Sequence, residues 1–173
     1  MGPVTALPVR QREALSSLRS RVEAHPGLLG AVLVGSMVTG KADAFSDIDC
    51  ILVTGIGAFD DVWDDRCSLH EPTVPVCWDD CESSPSDTGA HKWFDSNVVL
   101  VECLITAPNS GVRLAPPHRV VAGPDGVTSY LEPRPPVERS EMRGVPVDLT
   151  RDVDVETAYD ILKEAVRRHR QQL

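Results

Sequence analysis

Apolar and polar positions alternate with two different periods along the chain. From about Pro8 to Ala24, Ala14, Leu15, Leu18 and Val22 recur at helical spacing, while Arg10, Arg12, Arg19 and Arg21 fall elsewhere on the surface. Pro8 suits a first helical turn and Pro26-Gly27 closes the helix. Leu28 to Val34 is a short apolar run with glycine at its borders, which predicts a buried strand. Asp47 to Thr54 predicts a second strand, stopped by Gly55-Ile56-Gly57. Ala58 to Leu69 reads as a helix, with Phe59, Val62, Trp63 and Arg66 at helical spacing. A third strong strand is expected from Asn97 to Thr106, its apolar run broken only by Glu102.

The remaining segments are weaker. Thr73 to Trp78 alternates, and Pro75 would confine such a strand to an edge. Asp79 to Ala90 is rich in Ser, Asp, Pro and Gly and reads as a loop. Pro108 to Pro117 also reads as loop. Arg119 to Ala122 predicts a short strand ended by Gly123-Pro124-Asp125-Gly126. The proline-rich stretch Glu132 to Val147 is expected to lack regular structure. A closing helix is expected over about 153–171, with Val155, Ala158, Tyr159, Leu162, Ala165, Val166 and His169 on one stripe. These elements predict an α/β (α+β) fold: a mixed sheet flanked by helices, one domain over 1–173, with its core between residues 28 and 106.

Composition narrows the class. A chain of 173 residues with 42% hydrophobic and 25% charged residues can build one real core. No apolar run approaches the roughly 20 residues a membrane span needs, and the N-terminus lacks a signal pattern. A cytoplasmic location is expected. Five cysteines, an odd number, argue for reduced thiols rather than a disulfide framework. The net charge of −9 argues against a nucleic-acid partner, because phosphate contacts need clustered Lys and Arg. The acidic run from Asp60 to Asp87 is either a solvated face or an attractor for a cationic substrate.

The candidate chemistry lies between the first two strands. A strand ending in Gly35-Ser36 and running into a short helix suits phosphate: the glycine admits close backbone approach and the Ser36 hydroxyl can hydrogen-bond an oxygen. Ser36 is also the candidate cap of that helix. Asp47 and Asp49, two apart on a strand, share one face. Two carboxylates so placed repel unless a cation joins them, and hard oxygen ligands favour Mg2+.

Gly35-Ser36, a loop, then Asp47-Ile48-Asp49 resembles the signature of the nucleotidyltransferase superfamily, related to the palm of DNA polymerase β. The resemblance covers roughly residues 28–106. It implies transfer of a nucleoside monophosphate from an NTP, ATP foremost, to a hydroxyl, with release of pyrophosphate. It implies Mg2+, two ions, held by Asp47, Asp49 and a third carboxylate from a later strand. Glu102 occupies that place, where the family more often has Asp, as metal ligand, general base or both. Gly35, Ser36, Ser46 and Lys41 are the matching candidates for nucleotide contact. The small antibiotic-modifying members suggest a small cationic acceptor such as an aminoglycoside. Those enzymes add a helical domain to grip the drug, so a homodimer would complete the site here. The alternatives are an antitoxin-type enzyme that adenylylates a partner protein, and an inactive nucleotide-binding domain. Outside the motif, Trp93 and Asp95 are candidates for acceptor contact. Cys77 and Cys81 with His70 and His91 hint at zinc, although their spacing is not a usual ligand pattern.

Overall fold

The computed structural model describes residues 7–71, 77–80 and 87–134. The chain divides into the units Met1–Pro135 and Pro136–Leu173, and all the described residues fall in the first. The closing helix expected over 153–171 therefore lies outside the described residues, as do Cys81 and most of the Thr73 to Trp78 run. Helix α1 spans Val9–Ala24, strand β1 Leu28–Leu33, helix α2 Ser36–Thr39, strand β2 Ile48–Thr54 and helix α3 Phe59–Asp64. Strands β3 (Cys77–Asp80), β4 (Thr88–Phe94), β5 (Leu100–Thr106), β6 (Arg113–Leu114), β7 (Arg119–Ala122) and β8 (Glu132–Pro133) follow. Among the described residues no helix is long and apolar enough to cross a membrane.

Six strands form one mixed sheet in the order β3-β4-β5-β2-β1-β7. The central pair, β2 and β5, is parallel, and its neighbours join antiparallel. Both faces of β2 are covered from Cys50 onward, which is why its sequence is a continuous apolar run rather than an alternation. One face packs Ala31, Leu33, Cys50, Leu52, Val101, Cys103 and Ile105 against Leu15, Leu18 and Val22 of α1, with Val62 and Leu69 beside them. Leu18, 2% exposed, is worth about 2 kcal/mol by its burial alone. Cys50 and Cys103 sit side by side across the central pair as buried thiols, and burial pushes Cys50 up to about 12.

The other face is covered only in part. Leu114, Val127 and Leu131 close over Val32, Ile51 and Val53. On β2 this cluster takes Ile51 and Val53 and stops short of Asp49; on β5 it takes Leu104 and stops short of Glu102. The fold thus leaves the polar ends of its two central strands out of the second core.

Several elements differ from the sequence expectation. The Ala58 to Leu69 helix breaks after Asp64 into a separate 3-10 turn, Arg66–Leu69. The Arg66 guanidinium explains the break, since it donates to the Trp63 carbonyl at 2.6 Å and caps the helix early. Strand β4 lies at the end of the supposed Asp79 to Ala90 loop and beyond it. Its inward residues are Gly89, His91 and Trp93, so its alternation carries no aliphatic signal. The third strong strand starts at Leu100, because Asp95 ties residues 95–99 into a turn through the Asn97 and Val99 amides. Two-residue pairings β6 and β8 arise where only loop was expected.

Helix α1 also holds the loop that leads into β2. Gln11, one turn before the apolar stripe, is 1% exposed, and its Nε2 donates to the carbonyls of Asp43 (3.2 Å) and Ser46 (3.1 Å). Replacing Gln11 with Ala leaves both carbonyls without that donor, at a cost of about 1–2 kcal/mol. Urea unfolding should show that loss, and amide exchange should speed up at Phe45 to Asp47. Unchanged exchange there would refute the tether.

Candidate active site

Strand pairing brings the Gly35 loop against β2. Leu33 pairs with Cys50, and the Val34 amide donates to the Asp49 carbonyl at 2.9 Å. The chain then turns sharply at Gly35, with φ 71° and ψ −148°, a region open essentially to glycine. A Cβ at this position would also overlap Asp49 Oδ2. Glycine is therefore required twice, by backbone conformation and by the neighbouring carboxylate.

Ser36 follows as the first residue of α2. It does not cap that helix: Gly35 stands at the N-cap, with no side-chain cap bond. The Ser36 carbonyl accepts from the Thr39 hydroxyl (3.1 Å) and the Lys41 amide (3.3 Å). Its own hydroxyl is buried and has no hydrogen-bond partner. An unpaired buried hydroxyl is costly, so a group that bonds it on ligand binding recovers that cost.

Three carboxylates near this loop act on one another's charge. Asp47 ends the loop just before β2, and Asp49 lies two residues on. Across the parallel pair Asp49 is in register with Glu102, and Glu102 is in register with Lys92 of β4. Lys92 Nζ lies 3.5 Å from Glu102 Oε1. Burial pushes the Asp49 carboxyl up to about 6, the charges of Asp47 and Glu102 add to the shift, and Lys92 opposes it. Three carboxylates facing one ammonium form a site short of positive charge. All its anionic donors are hard oxygens, the donor type that divalent cations such as Mg2+ prefer.

The other expected contacts are distributed differently. Ser46 accepts from the Asp43 amide (2.9 Å) and donates to Asp43 Oδ1 (3.0 Å), so its hydroxyl closes the turn before Asp47. Lys41 is exposed in the same loop. Trp93 is 3% exposed, packed against His70 and His91 on the opposite face of the sheet, and so stands away from the carboxylates. Asp95 is committed to its own turn. Lys92 and Gln11 were not singled out from the sequence. Gln11 was detectable as a polar residue extending an apolar helical stripe, whereas Lys92 gave no signal without the β4–β5 register.

No protein-family profile matches the chain, and no curated protein does either. Solved structures similar to it include a STING-associated CdnE c-di-GMP synthase from Capnocytophaga granulosa, at 19% identity and a TM-score of 0.40. That match covers 57% of this chain and 32% of the synthase. Cid1 in complex with the UTP analog UMPNPP is similar at 17% identity and a TM-score of 0.39, over 58% of this chain and 30% of Cid1. The matched region is therefore about a third of either protein's length.

Burial of the Asp49 carboxyl, with crowding added, has a measurable consequence. The Asp49 carboxyl is raised in the folded state from its ordinary 3.8 to about 6. The unfolded chain then ionises first, and stability falls as pH rises between those two values. Above that window the penalty is complete. Discounted for the partial exposure of Asp49, it is about 1 kcal/mol. In metal-free buffer at pH 8, Asp49→Asn should raise Tm by about 2–4 °C. The gain should vanish at low pH, where the carboxyl is protonated in both states, and shrink when Mg2+ is added. A Tm difference independent of pH would show that the Asp49 carboxyl is not raised in the folded state.

Proposed function

We propose that the chain is a metal-dependent nucleotidyltransferase that moves a nucleoside monophosphate from an NTP, ATP foremost, to a hydroxyl of a small cationic acceptor of the aminoglycoside kind. One observation carries this reading: three carboxylates lie near a buried, unpaired serine hydroxyl that follows a glycine whose conformation and contact with Asp49 strain any side chain. The net charge of −9 favours a cationic acceptor.

In this scheme the Gly35 backbone lets the triphosphate approach β1, and the Ser36 hydroxyl donates to a phosphate oxygen. Asp47, Asp49 and Glu102 hold Mg2+. The bound metal supplies positive charge that offsets the charge growing on the phosphate oxygens and the leaving pyrophosphate. The acceptor oxygen bonds to the α-phosphorus in line with the departing pyrophosphate oxygen, as in other phosphoryl transfers. Glu102, steadied by Lys92, accepts the proton that the hydroxyl gives up. Most of the rate comes from orientation and charge, as in other phosphoryl transfers.

The test is incubation of the full chain with Mg2+, each labelled NTP in turn, and a panel of aminoglycosides and other amino-bearing alcohols. Pyrophosphate should appear only with NTP and an acceptor together. Asp47→Asn and Asp49→Asn should each lower the rate by at least about 10²-fold while circular dichroism stays that of the wild type. Gly35→Ala should do the same by driving the loop off Asp49. Full activity in both Asn variants, or no pyrophosphate with any pairing, would overturn the assignment. Label transferred to a protein in cell lysate, and to no small acceptor, would overturn the acceptor alone.

A further inference from the structure

A second cluster of ligand-type side chains lies on the opposite face of the sheet from the carboxylates. Cys67 belongs to the turn Arg66–Leu69, His70 follows that turn, and His91 comes from β4. One ligand atom from each of the three lies within 4.8 Å of the other two. The imidazoles of His70 and His91 stack with centroids 5.4 Å apart, and Trp93 walls them in.

Hydrogen bonds show that the Nδ1 atom of each ring carries a proton. His91 Nδ1 lies 2.7 Å from Asp79 Oδ1 and His70 Nδ1 lies 3.0 Å from the Glu71 carbonyl. Carbonyl oxygens only accept, and Asp79 is kept ionised chiefly by Arg66, so both Nδ1 atoms donate. In the neutral ring each Nε2 is then a bare lone pair. Both Nε2 atoms are buried without a hydrogen-bond partner, on rings that are 9% and 1% exposed. A buried lone pair with no donor is costly, and a cation held between the two rings is a group able to satisfy both.

We propose that Cys67, His70 and His91 bind a zinc ion. One thiolate and two imidazoles are a borderline-soft donor set, which suits zinc and not the hard cations expected at the carboxylates. Ligand atoms on one zinc lie roughly 3.5 Å apart, given metal–ligand bonds of about 2.0–2.3 Å. The exposed Cys67 is the member able to close the remaining distance. The outer partners are already in place. Asp79 orients His91 as carboxylates commonly orient zinc-bound histidines. Arg66 in turn grips Asp79 with two bonds, Nε at 3.0 Å and Nη2 at 2.6 Å. Three protein ligands leave a fourth position for water. The ion would fasten the Arg66–Leu69 turn to β4, the strand that carries Lys92 to Glu102. This inference stands apart from the nucleotidyl-transfer reading, because none of its ligands touches the carboxylate site.

The test uses the full chain, purified without chelator and assayed for metal, then exchanged with cobalt(II). About one zinc per chain should be found, and it should persist in the Asp47→Asn/Asp49→Asn double variant. Cobalt should give tetrahedral visible bands and a thiolate-to-cobalt charge-transfer band. Cys67→Ser, at an exposed position where folding is not at stake, should remove the charge-transfer band. Asp79→Asn should weaken zinc binding by roughly 10–100-fold. A protein that takes up neither zinc nor cobalt would overturn the proposal, since a water donating to both lone pairs would then fill the space. Wild-type metal binding in Cys67→Ser and His91→Gln would also overturn it, by showing that the ion sits elsewhere.

Discussion

Like charges held side by side across a parallel strand pair are the constraint around which this fold is arranged. Register places Asp49 beside Glu102, and neither strand can slip by one residue without turning its apolar set out of the α1 core. The repulsion is thus held in place by hydrophobic burial on the opposite face. Burial chiefly raises the Asp49 carboxyl, the repulsion adds to that rise, and Lys92 offsets only part of it. Strain of this kind persists where surrounding structure overdetermines it, and such places concentrate at functional sites.

Gly35 belongs to the same constraint. Its positive φ and its contact with Asp49 are two outcomes of one event, the chain leaving β1 directly over the β2 carboxylate. A side chain at this point would lift the loop and carry the Ser36 hydroxyl with it. Gln11 acts from the other side, fixing the carbonyls of Asp43 and Ser46 so that Asp47 enters β2 in a set position. The loop between the two strands is therefore held at both ends, by exclusion at Gly35 and by hydrogen bonds at Gln11.

The central strands and α1 were legible in the sequence because burial on both faces, or along one helical stripe, writes a continuous or regular apolar pattern. The Gly35-Ser36 and Asp47-Ile48-Asp49 stretches were legible because their residue types are costly without a purpose. Strand β4 was not, because it buries Gly89, His91 and Trp93 in place of aliphatic residues. With β4 went Lys92, whose partnership with Glu102 exists only through register. Of the proposed zinc ligands, His70 and His91 were already candidates and Cys67 was not. Sequence spacing paired the histidines with Cys77 and Cys81, whereas folding brings Cys67 to them across the break between α3 and its following 3-10 turn.

Strand β4 connects the two clusters while keeping them apart. Alternation along a strand sends His91 to one face and Lys92 to the other. Soft donors therefore collect on the α1 side and hard carboxylates on the opposite side, with the sheet between them. A metal that prefers thiolate and imidazole gains little from the carboxylates, and a hard cation gains little from the histidines. Donor chemistry and strand parity together sort the two kinds of ion without any residue shared between them. Fixing β4 from the His91 side would also narrow the positions open to Lys92. The soft cluster would then bear on the hard one through a single peptide unit, by stiffening a strand and not by adding charge.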